Sequence, residues 1–209
     1  MSRVALVIGN GESRSSLDLK NYIGKFYSYG CNAVHRDFSV DKLFCYDKRM
    51  ALEFLESANC QSTVLYTNYE NVDNLANFYK NNSIRCFPEL PYKGTSRPDQ
   101  PRHWNSGQYA LLCAAYDENE KIYITGFDLY SKNSYVNNVY KDTENYCSSN
   151  SHPVDHSYWL YQNAKIFSIF QNKSFILINE AGWKLPQEWK FDNVSFIAQE
   201  KFFQQLQTL

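Results

Sequence analysis

The chain has no apolar run approaching the ~20 residues needed to cross a bilayer, no C-x-x-C spacing among its six cysteines, and no excess of charge of either sign. Each absence removes a class. Without a long apolar run, no transmembrane helix is expected. Lys and Arg total 21 against 22 Asp and Glu, a net charge of -1. No whole-chain field therefore favours nucleic acid or an anionic membrane, although a local basic groove is compatible with that sum. The cysteines, at 31, 45, 60, 86, 113 and 147, are scattered. Met1-Ser2-Arg3 leads directly into a strand-like run, so no secretory leader is expected, and a reducing cytoplasm is the expected location. Sequons such as Asn81-Asn82-Ser83 then read as chance matches. No internal repeat is evident.

What is there supports a folded domain. The 209 residues suit a single unit spanning 1–209, and a chain of this length can bury roughly 70% of its unfolded surface. Val4 to Ile8 is an uninterrupted apolar run followed by a glycine-containing turn, the pattern of a buried parallel strand entering a phosphate-type loop. Strands are expected at Phe26 to Cys31, Lys42 to Tyr46, Ser62 to Tyr66, Lys121 to Thr125 and Ser174 to Ile178. Helices are expected at Arg49 to Ser57, Asn71 to Lys80, Ser106 to Tyr116 and Tyr158 to Phe170, with a helix start over Ser15 to Leu19. Phe87 to His103 is a Pro- and Gly-containing loop, and Gly182 to Leu209 is a tail with an amphipathic end. Residues 131 to 155 are polar with almost no aliphatic periodicity, which marks a functional lid or a disordered loop. Alternating strands and helices imply an α/β, Rossmann-like, mainly parallel sheet flanked by helices, with ligands at the carboxyl ends of its strands.

Short motifs fall where those strands end. Gly9-Asn10-Gly11 would let backbone N–H groups approach a phosphate at a helix start. A dinucleotide fingerprint is disfavoured, because Arg14 stands at its third glycine and the second strand closes with Asn32 rather than an acidic residue. In Asn105-Ser106-Gly107, Ser106 can cap the helix or face a ligand. Gly126-Phe127-Asp128 closes a strand at the expected crevice. Tyr130 and Tyr135 flank the lid, and phenols can donate to a departing phosphate without adding charge. His156, in a first helical turn, feels the positive end of the helix dipole, which favours the neutral imidazole suited to removing a hydroxyl proton. Each motif also has a bland reading as a turn, a cap or a surface residue. A zinc site from His152, Asp155 and His156 is disfavoured by the intervening proline and missing partners.

Taken together, these residues resemble the bacterial sialyltransferases of the Campylobacter type, from the Val4 strand to about Asn179. The family's G-N-G-P-S is similar to Gly9-Asn10-Gly11-Glu12-Ser13, and its R-C-N to Gly30-Cys31-Asn32. Its T-S-G is similar to Asn105-Ser106-Gly107, and its S-G-I-D-F-Y to Thr125-Gly126-Phe127-Asp128-Leu129-Tyr130. The resemblance implies a modified GT-A, sialyltransferase-like variant of the Rossmann-like fold. It also implies an inverting glycosyltransferase that needs no metal and takes a CMP-linked sugar as co-substrate, whereas a phage-type enzyme would take a UDP-linked sugar. Asn10, Gly11, Ser13, Asn32, Asn105, Ser106, Gly107, Gly126, Phe127 and Asp128 would hold the donor. Tyr130 and Tyr135 would stabilise the leaving phosphate, and His156 would be the general base. Family relatives often form oligomers, so a homo-oligomer is compatible.

This chain departs from the family at Tyr46-Asp47-Lys48, where the family has Y-N-P, and at Glu12 in place of the loop proline. A carboxylate at Asp47 repels a phosphate unless a cation, or Lys48 and Arg49, offsets it. It could instead bind ribose hydroxyls or a divalent metal. Acceptor alternatives are a glycan or, in a phage-type enzyme, a hydroxymethylated DNA base met by Lys93, Arg97, Arg102 and His103 with Lys48 and Arg49. Readings of other classes are a metal-dependent pterin-type pyrophosphokinase using Asp47 and Asp128, a non-catalytic nucleotide-binding protein, and an interaction module.

Overall fold

Alternation along β1 (Arg3–Ile8) sends Ala5 and Val7 into one core and Leu6 and Ile8 into another, all four fully buried. A strand covered on both faces must be apolar at every position, which is why the run shows no polar alternation. The computed structural model describes residues 3–58, 60–91, 104–129, 135–153 and 155–207. The further strands are β2 (Tyr27–Cys31), β3 (Lys42–Phe44), β4 (Val64–Thr67), β5 (Ile84–Cys86), β6 (Asn119–Thr125), β7 (Ser174–Asn179) and β8 (Val194–Ala198). They form one eight-stranded sheet in the order β5-β4-β3-β2-β1-β6-β7-β8, with every pairing parallel. The chain is thus an α/β, Rossmann-like protein.

Helices cover both faces. α3 (Ser106–Tyr116) is apolar around its whole circumference and lies across β1, β2, β3 and β6, so nearly all of it is buried. It shares the first core with Ile166 and Phe167 of α4 (Ser157–Ile169). The second core gathers Met50, Ala51 and Phe54 of α1 (Lys48–Leu55) with Phe202 and Leu206 of α5 (Gln199–Gln207). α2 (Tyr69–Phe78) adds Leu75 and packs along the β5 edge. Among the described residues, no helix is long and apolar enough to cross a membrane.

Three features differ from the sequence reading. β8, one edge strand, lies in the segment read as tail, and β5, the other, falls between the expected helix and the loop, where no element was expected; β5 has only three residues, with Arg85 and Cys86 exposed, and so carries no burial pattern to detect. No α-helix starts at Ser15. Glu12–Ser16 is a short 3-10 turn, and the chain is extended at Leu17. Ser15 and Ser16 donate their hydroxyls to the carbonyls of Glu12 and Ser13, and such local bonds offer the backbone an alternative to a helix ladder.

The carboxyl end of the sheet is shaped by a close backbone approach between β1 and β6. These strands end in register, Ile8 beside Thr125. Beyond them Gly9 N–H donates to Thr125 O (2.8 Å) and Gly11 N–H to Gly126 O (2.9 Å). Gly126 has φ +69°, and a Cβ there would stand 2.7 Å from the Gly9 carbonyl oxygen. Connections leave in opposite directions along the sheet from this point, which makes it the topological switch where a crevice opens. Gly126→Ala therefore meets both a left-handed backbone and a backbone clash. It is expected to cost about 2 kcal/mol or more in urea unfolding; a loss below about 0.5 kcal/mol, the range of ordinary surface changes, would contradict this account.

Candidate functional site

The β1–β6 crevice opens into a pocket of about 360 Å³. Its floor is the Gly9–Gly11 loop, Gly126–Leu129 after β6, and Cys31 and Asn32 at the end of β2. Tyr46, Asp47 and Met50 form one wall, Asn105–Gln108 at the start of α3 another, and Trp159 of α4 closes a corner. The roof comes from the polar segment 135–153, which supplies Asn137, Asn138, Asn145 and Tyr146.

Most sequence-derived candidates meet here: Asn10, Gly11, Asn32, Asp47, Asn105, Ser106, Gly107, Gly126, Phe127 and Asp128 all line the pocket. Ser13 lies beneath it, with its N–H and hydroxyl both bound to the Asp128 carboxylate. Tyr135 is 51% exposed and is not among the lining residues. His156 is the N-cap of α4, likewise outside the lining, three residues before Trp159. Tyr130 lies outside the described residues, as do Lys93, Arg97, Arg102 and His103.

Family models, curated proteins and solved structures gave no match. The arrangement must be read from its own chemistry.

The glycine loop's amides are largely spent on the protein itself. Besides the two bonds to β6 and its turn, Glu12 N–H donates to Asn137 Oδ1 (2.7 Å) and Ser13 N–H to Asp128 Oδ2 (2.8 Å). Burial raises the Asp128 pKa, while its bonds to Ser13 oppose that shift. Asp128 is therefore a staple tying the loop to β6. α3 differs. Its N-cap Asn105 makes no side-chain cap, and the Ser106 hydroxyl, expected to cap, instead accepts from Tyr46 N–H (2.9 Å) and fixes the loop after β3. The first-turn N–H groups of a helix have no intrahelical partners, and here that turn forms the pocket wall.

The lining is otherwise amide and aromatic. Among the described lining residues there is no Lys or Arg. Asn10 and Asn32 each hold a buried side-chain oxygen without a partner. Asp47 caps α1 through Arg49 N–H and takes the Arg49 guanidinium at 2.9 Å, which holds its carboxyl below the usual range. Burial pushes the Cys31 thiol up to about 12, so it is protonated at neutral pH and a poor nucleophile.

The roof segment contains no helix or strand, yet it is docked. Val139 N–H donates to Asn10 O (2.9 Å), and Tyr140 is buried with its hydroxyl between Asp37 and Arg14. Arg36 grips Glu53 through two bonds (2.6 and 2.8 Å) and reaches Thr143 Oγ1 and the Glu144 carbonyl. Asn145 Nδ2 completes the cluster on Glu53 (2.8 Å). Composition named this segment as a lid, but nothing in it singled out Asn137, Asn138, Asn145 or Tyr146. Met50, Gln108 and Trp159 read as ordinary helix residues, and Tyr46 was legible only as the neighbour of Asp47.

The Arg36 guanidinium, with Asn145, holds the Glu53 carboxyl below its ordinary value. A carboxyl depressed on folding contributes stability above the unfolded value, about 4.3 for Glu, and loses it as pH falls through the lower folded value. The roof is therefore expected to loosen below about pH 4, seen as faster amide exchange over 137–149. Glu53→Gln should loosen it already at pH 7, at a cost of about 1–3 kcal/mol; exchange that is unchanged in the variant would contradict the anchoring role.

Proposed function

We propose that the chain is an inverting glycosyltransferase of the sialyltransferase-like kind that holds a nucleotide-sugar donor in this pocket. One observation carries the reading: four motifs spread from Gly9 to Asp128 line a single pocket at the topological switch. Crevices at that position are where open α/β sheets bind their ligands. Amide edges and aromatic faces suit a nucleoside, whose hydrogen-bonding groups need uncharged partners and whose base offers a flat apolar surface. The uncapped start of α3 suits a phosphate oxygen, since orphan N–H groups and the helix dipole favour an anion.

In this mechanism the acceptor hydroxyl attacks the anomeric carbon as the bond from that carbon to the phosphate oxygen breaks. His156 takes the hydroxyl proton, and the negative charge leaves with the nucleotide. His156 and Trp159 are three residues apart across the N-cap of α4, so they lie near one another on that helix end. An acceptor seated on Trp159 would come within a side chain's reach of the imidazole. Tyr130 and Tyr135 keep the leaving-group role the resemblance implies. The acceptor is a glycan or, in the phage-type variant, a hydroxymethylated DNA base.

A pterin-type pyrophosphokinase would need Asp47 and Asp128 to turn their oxygens to a divalent cation. Asp47 spends its carboxylate on Arg49 and the α1 cap, and Asp128 on Ser13. That reading therefore requires both carboxylates to exchange these partners for the cation, and no step is assigned to a metal.

Calorimetric titration with CMP, UDP and GDP is expected to show binding of at least one. His156→Ala should bind it as tightly as the wild type while transfer falls by about 10²–10⁴. Full turnover in the variant would remove the base assignment, and binding of none of the three would overturn the reading.

A further inference from the structure

Tyr146 of the roof is hydrogen-bonded to the loops that follow β1 and β2. Its phenol oxygen accepts from Asn10 Nδ2 (2.9 Å) and from the Ala33 N–H (3.4 Å). A hydroxyl has two acceptor positions and one proton to give. Both acceptor positions are filled from beneath, and among the described residues no acceptor takes the proton. Tyr146 also lines the pocket. Its ring is held independently of the hydroxyl, against Tyr140 (centroids 5.6 Å apart) and under the Arg36 guanidinium (5.8 Å).

Resting on the functional reading above, we infer that Tyr146 donates its hydroxyl proton to a phosphoryl oxygen of the bound nucleotide. Two donors clamp the phenol oxygen, so its remaining proton is oriented before the ligand arrives. A phenol supplies a neutral donor in a pocket whose described lining carries no Lys or Arg, and such a donor gains strength as negative charge grows on the oxygen it meets. The arrangement also links binding to the roof, because the hydroxyl occupies the pocket only while 135–153 is docked.

The test compares wild type, Tyr146→Phe and Tyr140→Phe by calorimetry, using CMP, UDP and GDP beside cytidine, uridine and guanosine. Tyr140→Phe removes a roof hydroxyl bonded to Arg14 and Asp37, outside the pocket lining, and controls for roof stability. Tyr146→Phe is expected to lose about 10- to 100-fold in affinity for the nucleotide that binds wild type, with the matching nucleoside affected far less. Tyr140→Phe should keep the wild-type ratio of nucleotide to nucleoside affinity. In wild-type protein labelled at the tyrosine ring, the Tyr146 Cζ resonance should shift with nucleotide and not with nucleoside, a readout that needs no variant to fold. Equal nucleotide affinity in wild type and Tyr146→Phe, or an unmoved resonance, overturns the inference alone. That result is also expected if the phenol instead donates to Asn10 with the amide turned over. Failure of wild type to bind any of the three nucleotides overturns the functional reading and this inference with it.

Discussion

Two glycine-bearing turns can stand side by side at the end of β1 and β6 only because neither presents a Cβ to the other. A Cβ at Gly9 would lie 2.4 Å from Gly126 O, and one at Gly11 2.5 Å from the Asp128 carboxyl carbon. That steric condition fixes the pocket floor. It brings the two backbones within hydrogen-bonding distance, delivers Asp128 to Ser13, and leaves Asn10 facing Tyr146. The Gly9, Gly11 and Ser13 amides, which a phosphate loop could offer, are bonded to β6 and the turn after it. On the proposed reading, an anion in the pocket would meet the start of α3 rather than this loop.

The second condition is the docked roof. A segment without regular structure has few backbone bonds of its own, so side chains must order it against the entropy of the free chain. Here Arg14 with Asp37 and Tyr140 anchors one side, and Arg36 with Glu53 and Asn145 the other. Arg14 is 5% exposed, and a charge so buried needs partners to offset its lost hydration. Asp37 and Tyr140 supply them, and that need helps keep the roof in one place. These polar anchors are joined by apolar contact, since Tyr140 is part of the second core and Val139 and Tyr146 pack against it.

Much of the fold was legible because both-face burial leaves a plain trace. The Val4–Ile8 run and the apolar α3 could be read directly, and α3 is observed over the same residues, Ser106–Tyr116. The β5 edge strand was not legible, since a three-residue segment with Arg85 and Cys86 exposed bears no period. The Ser15 helix is replaced by a short 3-10 turn in which the Ser15 and Ser16 hydroxyls bond carbonyls three residues back. At the site, glycines and asparagines at strand ends could be found, because strand ends converge at a sheet edge whatever the detail. The roof residues could not, because contacts such as Asn10 to Tyr146 link positions far apart in a segment with no period to guide the eye. His156 and Tyr135, assigned through resemblance, are not pocket-lining residues in this conformation.

The central claim is that a nucleotide occupies the crevice between β1 and β6, with its phosphate at the start of α3 and the roof closed above it. A crystal structure of the chain grown with the nucleotide that binds it tests this most directly. The account predicts electron density for the nucleotide in this pocket, with phosphate oxygens within hydrogen-bonding distance of the Ser106–Gln108 amides and of the Tyr146 hydroxyl. Nucleotide density elsewhere on the molecule, with this pocket filled only by solvent, would contradict it.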